Sequence, residues 1–492
     1  MIHDPFSSTA RAGLAAESAS DLCLDARDRI VGVARSVPIS GGRSVAFVNF
    51  DNAATTPAFR DVADCITEFL DWYGPVHRGT GAHSHISTRC YDRSRAIMAE
   101  FAGADPEIHT AIFTRNTTDS INKLAGILSR DERPPALSGP NGLVLCTVLE
   151  HHSNLLPWRR NAGRVECVDC RASDAALDLE QLEQKLRKHS GAVRLVAVTG
   201  ASNVTGFAPP IRRIARLAHQ HGAEIFVDAA QLAAHHPLDM GRPGEPESLD
   251  YVAFSAHKMY APFGAGILVG PKAAFERGEP TQAGGGTVRL VSEDRVIWAD
   301  APAREEAGTP NLVGAVAMAK AAQVLSEIGM EQVAAHEAAL RTHMVESLLS
   351  IPRVRVFGAE TPEDHSQVGI IGFTVERMDH SLLAAALGHE WGVGLRHGCF
   401  CAHPYVMRLL GVGPAEIEKL ARKAELNDHS GFPGLVRISL GLYNTRQEID
   451  YVAEAIRSVL DRGPRERYVL DRPTGEYIPE SGPVWPEECC PL

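Results

Sequence analysis

The 492-residue chain contains no apolar run near the roughly 20 residues that a membrane-crossing helix needs. Its first residues, "MIHDPFSSTARAG", lack the basic-then-apolar layout of a secretory signal. Both absences lead us to expect a cytoplasmic protein. Positive charge is not in surplus either: 49 Lys and Arg face 61 Asp and Glu, a formal net charge of -12. Such a balance excludes nucleic acid and anionic membranes as expected partners and leaves a small soluble substrate. Ten cysteines in so long a chain are too dilute for a disulfide framework, and a reducing compartment keeps them as thiols. No internal repeat and no long low-complexity tract is present.

What the chain does have, at 44% hydrophobic, is material for a large core. Single cores stop growing near ~250–300 residues, so two packed units are expected. Residues 1–45 read as a helical or loose extension without a clear strand. From there to about residue 270, apolar strands ("TAIFT", "GLVLCTV", "RLVAVTG", "AEIFVDAA", "YVAFSA") alternate with helical stretches, the pattern of a parallel sheet covered on both faces. A long helix after "AGTPN" leads into a smaller mixed unit with strands near "VRVFG", "GIIGFTV" and "VRISLGLY". The expected domains are thus a large one over 46–310, a small one over 311–465, and a tail over 466–492 that is mobile or draped on the surface and ends in Cys489 and Cys490.

"DYVAFSAHKMYAPFGAGILVG" places one amine, Lys258, between a strand and a glycine-rich apolar run. An aldehyde cofactor of the pyridoxal type needs a lysine to form an imine, a carboxylate for its ring nitrogen, a phosphate cradle and a flat ring to stack on. Lys258 offers the amine, and Asp228, at a strand's carboxyl end, the carboxylate. Thr117 and Thr118, opening a helix, supply phosphate donors together with Ser255 and His257, and His151 supplies the ring. Taken singly, each has an ordinary explanation: a surface lysine, helix caps at Asp228 and Thr117, a structural histidine.

Taken in order, "DNAATTP", "VHRGTGAHS", "RNTTDSINKLAG", "EHHSNLLPW", "SNVTGF", "VDAAQLAAHHPLD", "SAHKMYAPFGAGIL", "GGGTV" and "EAGTPN" resemble the class V aminotransferases of fold type I, over roughly residues 48 to 465. Within them the chain is most similar to the SufS-type cysteine desulfurases and selenocysteine lyases. The resemblance implies an α/β fold: a large domain with a mostly parallel seven-stranded sheet, plus a smaller α+β C-terminal domain. It implies pyridoxal 5'-phosphate (PLP) as cofactor, with Lys258 as imine lysine, Asp228 on the ring nitrogen, Gln231 on the ring hydroxyl and His151 stacked on the ring. Thr117, Thr118, Ser255 and His257 would hold phosphate, and Asn203 would lie near ring or substrate. Thr287 would reach a neighbouring subunit's phosphate, which makes a homodimer the expected assembly.

Desulfuration needs a second nucleophile, a thiolate that takes the substrate sulfur as a persulfide. Cys401 fits the family pattern R-x-G-x-x-C-A-x-P, with Arg396, Gly398, Ala402 and Pro404 in register. Glycine gives such a loop mobility, and His397 and His403 are placed to lower the thiol's pKa. Arg437 matches the family's α-carboxylate arginine, with Arg396 as a second candidate. Two departures stand out: Cys399 and Phe400 occupy positions where histidines are common in the family, and an insertion of about twenty residues precedes Arg437. Both look like the desulfurase domain of molybdenum cofactor sulfurases. They leave the sulfur acceptor open, and Cys399 as either a disulfide partner or a packing residue. Cys167 and Cys170 lack a second ligand pair, so no metal is expected.

The reading is therefore a PLP-dependent cysteine desulfurase-like enzyme acting on L-cysteine or an analogue. The alternatives are another PLP-dependent class V enzyme (β-lyase, epimerase or aminotransferase) in specialised metabolism, and, from another class, a non-catalytic sulfur-carrier or scaffold subunit.

Overall fold

A strand such as "VRLVAVT" has no polar face to turn to water, so it must be covered on both sides, and Val193–Thr199 is buried at every residue. In the computed structural model, which describes residues 26–131, 133, 136–139, 142–359 and 366–482, it lies inside a seven-stranded sheet. The strand order is His109–Thr114, Gly266–Pro271, Tyr251–Ser255, Glu224–Asp228, Val193–Thr199, Leu143–Thr147, Arg164–Val168. Pairing is parallel except at Gly266–Pro271, which runs antiparallel to both neighbours.

One crossover shows how local sequence sets up a ligand-bearing end. The helix Ile211–Gln220 buries Ile214, Ala215 and Ala218, Gly222 turns the chain at φ +75°, and the strand Glu224–Asp228 delivers Asp228 to the sheet's carboxyl edge. Asp228, Thr199 and Ser255 all end strands there. Gly266 serves the same edge differently: a Cβ on it would come within 2.6 Å of the Asn116 backbone, so glycine lets the Asn116 turn sit on the sheet.

The second sheet is antiparallel, in the order Val354–Phe357, Ile370–Val375, Leu435–Ser439, Arg396–Gly398. The helices Met330–Leu349, His380–Trp391 and Arg446–Arg462 bury Leu340, Leu383 and Ile456 in the same apolar cluster as this sheet's Phe373 and Ile438. The helix Leu312–Ile328 leads into Met330–Leu349 across a 77° bend, and no single helix among the described residues is long and apolar enough to cross a membrane. One short segment is held by the smaller unit: Val48–Asn49 pairs in parallel with Val393–Gly394, and Asp51 bridges to Ser439 at the end of a strand of the second sheet.

Two stretches outside the expected domains form hairpins, the first in an extension read as helical or loose, the second in the tail expected to be mobile or draped on the surface. Ser36–Ile39 and Arg43–Ala46, inside the expected loose extension, form an antiparallel hairpin. Its Gly41 and Gly42 take φ of +82° and +72°, a turn signal close to the polar Ser-rich segment that hid it. In the tail, Tyr468–Asp471 and Glu476–Pro479 make a second hairpin on the helix His380–Trp391, where Tyr477 N donates to Ser381 Oγ at 3.2 Å and Arg465 N to Glu390 Oε1 at 2.9 Å. Cys489 and Cys490 lie outside the described residues.

Candidate active site

The carboxyl edge of the large sheet and the near end of the small one enclose a cleft of about 370 Å³. It is lined by Thr117, Thr118, His151, Asn203, Asp228, Gln231, Ser255, His257, Lys258, Arg396, Cys401 and Arg437. All the residues expected to touch cofactor or substrate are therefore gathered in one place except Thr287, which is buried elsewhere in the chain with its hydroxyl donating to Gly284 O at 2.7 Å; His397, Cys399 and His403 do not line the cleft either.

Lys258 sits in the short turn Ala256–Lys258 that follows the strand Tyr251–Ser255. Among the described residues its Nζ has no hydrogen-bond or ion-pair partner. Burial pushes the amine down to about 8, against the pull of Asp228, so a substantial fraction is neutral at physiological pH. Asp228 Oδ1 accepts from Ala230 N at 3.0 Å, and burial raises its carboxyl. Gln231 Nε2 donates to Ala53 O at 2.8 Å, which leaves its buried Oε1 without a partner.

His151 closes the turn that follows the strand Leu143–Thr147. Its Nδ1 accepts from Ser153 N at 3.1 Å, so an imidazole proton resides on Nε2. Burial, followed by the Lys258 charge, takes it down to about 4 and keeps the ring neutral. His257 is likewise lowered to about 4. The helix Thr117–Ser129 points its N-terminus into the cleft behind an Asn116 cap, whose side chain accepts from Asp119 N at 2.9 Å. Thr117 Oγ1 lies 2.6 Å from Ser255 Oγ, and Thr118 Oγ1 lies 2.7 Å from Ser153 Oγ. These hydroxyls, the helix amides and a neutral His257 make an anion cradle.

The opposite wall belongs to the small domain. Arg437 is nearly inaccessible; its NH1 donates to Asn203 O at 3.0 Å and its NH2 to Asp51 Oδ1 at 2.9 Å, while Nε stays unpartnered. Arg396 Nε reaches the other oxygen of Asp51 at 3.0 Å. Cys401 is exposed to the cleft. It follows Phe400, and both residues take left-handed backbone conformations, at φ +54° and +51°, which L side chains adopt at a cost of about 1–2 kcal/mol each. Three contacts hold this bend: Asn203 Nδ2 donates to Phe400 O at 2.7 Å, His152 N donates to Cys401 O at 2.7 Å, and the Phe400 ring covers the Arg437 guanidinium at 4.9 Å.

Two of those contacts, from Asn203 and His152, tie the loop to the large domain. One expectation about this loop is corrected. His397 and His403 do not supply positive charge to the thiol: His397 turns to His380, 3.2 Å away, and is lowered to about 4 by burial and that neighbour. His403 stacks on His152 with ring centres 4.8 Å apart and is lowered by burial. The cations that feel Cys401 are Arg437 and Lys258. Cys399 donates to Pro433 O at 3.2 Å, and burial pushes its thiol up to about 11, which fits packing better than thiol exchange. Sequence reasoning missed Asp51, Asn116 and Glu150. The first stands in the quoted "DNAATTP", but only the fold reveals its two arginine partners.

A family model described as aminotransferase class-V matches residues 48–452. The chain is 32% identical to a probable cysteine desulfurase of Streptomyces coelicolor, over 84% of this chain and 92% of that protein. It is also 32% identical to a cysteine desulfurase of Haloferax volcanii, over 83% of this chain and 88% of the relative. Among solved structures, the cysteine desulfurase CsdA of Escherichia coli, crystallised with an S-sulfonic acid, superposes with a TM-score of 0.72 at 28% identity, covering 89% of this chain and 98% of that one. An apo cysteine desulfurase of Thermococcus onnurineus gives 0.73 at 29% identity, covering 88% and 98%.

Proposed function

The chain belongs to the class V aminotransferases, and from that premise we propose that it is a PLP-dependent cysteine desulfurase, converting L-cysteine to L-alanine and leaving the sulfur on Cys401 as a persulfide. Its cofactor is PLP. The observation that carries the reading is an unpartnered amine, Lys258, and an accessible thiol, Cys401, facing one cleft.

The residues present suit that cofactor. Lys258, without a partner in the cleft, would bond its aldehyde, the orphaned Gln231 Oε1 would take the ring hydroxyl, Asp228 would face the ring nitrogen, and the neutral imidazole of His151 would lie against the ring. Thr117, Thr118, Ser255 and His257 would hold the phosphate, whereas Thr287, buried with its hydroxyl spent on Gly284 O, is not presented to a second subunit. The chemistry supplied by bound PLP is that of a sink for the electrons released at the substrate's Cα.

The chain's own groups do the rest. Arg437, which lines the cleft, would bind the substrate carboxylate with Arg396 at the rim, and Asn203 would lie beside the substrate. Lys258, once displaced, takes the Cα proton at Nζ, which its lowered pKa permits near neutrality. Cys401, as thiolate, attacks the substrate sulfur: the new S–S bond forms as the carbon–sulfur bond breaks, and the electron pair leaves with the substrate carbon. A sulfur-acceptor protein in the cytoplasm then collects the sulfur from the cleft mouth.

The test is to supply L-cysteine and a reductant and to measure alanine and sulfide. Absence of alanine from protein with intact cofactor absorbance rejects the proposal, and undiminished turnover after Cys401→Ala redirects it to a PLP reaction that uses no protein thiol.

A further inference from the structure

Glu150, one residue before His151, is 1% exposed and has no part in the steps above. Its surroundings can be solved as a donor–acceptor puzzle. Trp158 Nε1 is a donor only, and it lies 2.9 Å from Asn154 Oδ1. That fixes the Asn154 amide, whose Nδ2 must then donate to Glu150 Oε2 at 2.5 Å. Thr199 N, also a donor only, meets Oε1 at 3.0 Å. The Thr147 hydroxyl, which already accepts from Leu149 N, donates to Oε1 at 2.6 Å.

A proton on Oε2 would face the Asn154 amide hydrogens, and one on Oε1 would cost the Thr147 hydroxyl its acceptor. Burial, with Asp228 adding to it, pushes the carboxyl above the usual carboxylate range, but three donors aimed at its two oxygens leave a proton no acceptor and hold the carboxylate form. The other titratable groups against it are the thiols of Cys146, on its own side of the sheet edge, and Cys167 on the neighbouring strand. The three donors come from different parts of the cleft floor. Thr147 ends one strand, Thr199 ends the next and pairs in register with Asp228, and Asn154 belongs to the turn whose first carbonyl, His151 O, accepts from Asn154 N at 2.8 Å.

We propose that Glu150 is a positioning residue: as a carboxylate it ties the His151 turn to the strand end beside Asp228, and so sets the ring of His151 over the cofactor. The inference rests on the PLP reading. It predicts a polarity rule, since only a double acceptor at 150 matches a donor amide at 154.

In Glu150→Gln the new amide hydrogens meet Asn154 Nδ2 or the Thr147 and Thr199 donors, and one bond is lost. The PLP dissociation constant of the apo-protein should rise about 10-fold or more, as expected for one unmade buried hydrogen bond, and the circular dichroism of the bound cofactor's visible band should weaken. The reversed pair, Glu150→Gln with Asn154→Asp, restores complementarity: the amide introduced at position 150 faces an acceptor, and the other oxygen of the new carboxylate at position 154 still accepts from Trp158. Affinity and dichroism should return to within about threefold of wild type, and recovery of folding by the pair counts likewise. A pair no better than the single variant in folding, affinity or dichroism overturns the inference, as does a single variant that binds PLP as tightly as wild type with the same dichroism. Wild-type protein that binds no PLP overturns the underlying reading instead.

Discussion

Asp51 Oδ1 accepts from Arg437 NH2 at 2.9 Å, joining the first strand segment after the N-terminal hairpin to the most deeply buried arginine of the cleft. The other oxygen holds Arg396, so one carboxylate orients both candidate substrate arginines. Arg437 keeps 3% of its side chain accessible and Arg396 53%, and this decides their weights. Arg437→Lys loses the planar fork, and KM for L-cysteine should rise about 10- to 100-fold, the value of one charge-assisted hydrogen bond. Arg396→Lys should cost about threefold, as exposed pairs do. Steady-state kinetics on both variants checks the order.

The two neighbouring cysteines should separate cleanly. Cys401→Ala should abolish alanine formation while the cofactor absorbance persists. Cys399→Ala, which removes a half-buried thiol held at about 11 and bonded to Pro433 O, should retain activity within about threefold, with a loss of stability of about 1 kcal/mol. Activity and thermal melting of both variants give the comparison.

Lys258 predicts a pH dependence with a definite sign. Its ordinary value of 10.5 is lowered to about 8, first by burial, so the neutral amine gains tenfold per unit as pH climbs toward 8 and then saturates. The rate at which apo-protein captures PLP should follow that curve, and borohydride reduction should then fix the cofactor on Lys258. The folded chain releases this proton more readily than the unfolded one, so Lys258 also adds to apo-protein stability as pH rises from about 8 toward 10.5. Urea unfolding of wild type against Lys258→Met over that window measures the contribution.

How much of this was legible beforehand depends on what kind of signal each residue leaves. Largely apolar strands such as "RLVAVT" must be buried, and the ends of such runs mark Asp228 and Lys258. The Ser36–Ala46 hairpin escaped because its strands alternate short polar and apolar residues and only Gly41 and Gly42 mark the turn. Asp51 and Glu150 escaped for another reason: their partners Arg437 and Thr199 are 386 and 49 residues away, and only the donor–acceptor geometry of the fold gives them meaning. His397 and His403 misled because nearness in sequence to Cys401 says nothing about which way a ring turns.

The pinned loop carries its own prediction. Asn203→Ala removes the donor to Phe400 O, a bond whose loss costs about 1–3 kcal/mol when the acceptor stays buried. Amide exchange across residues 398–403 should accelerate by about 10-fold or more, while the strand Val193–Thr199 stays protected. Unchanged exchange in the loop would show that His152 and Phe400 suffice to hold the strained bend.

The most direct measurement is the mass of the peptide carrying Cys401 after a single turnover with L-cysteine in the absence of reductant. A gain of one sulfur atom on Cys401, matched by one alanine per active site and absent from Cys399, is the result expected. Alanine released with Cys401 unmodified, or sulfur found only on another cysteine, would contradict the mechanism.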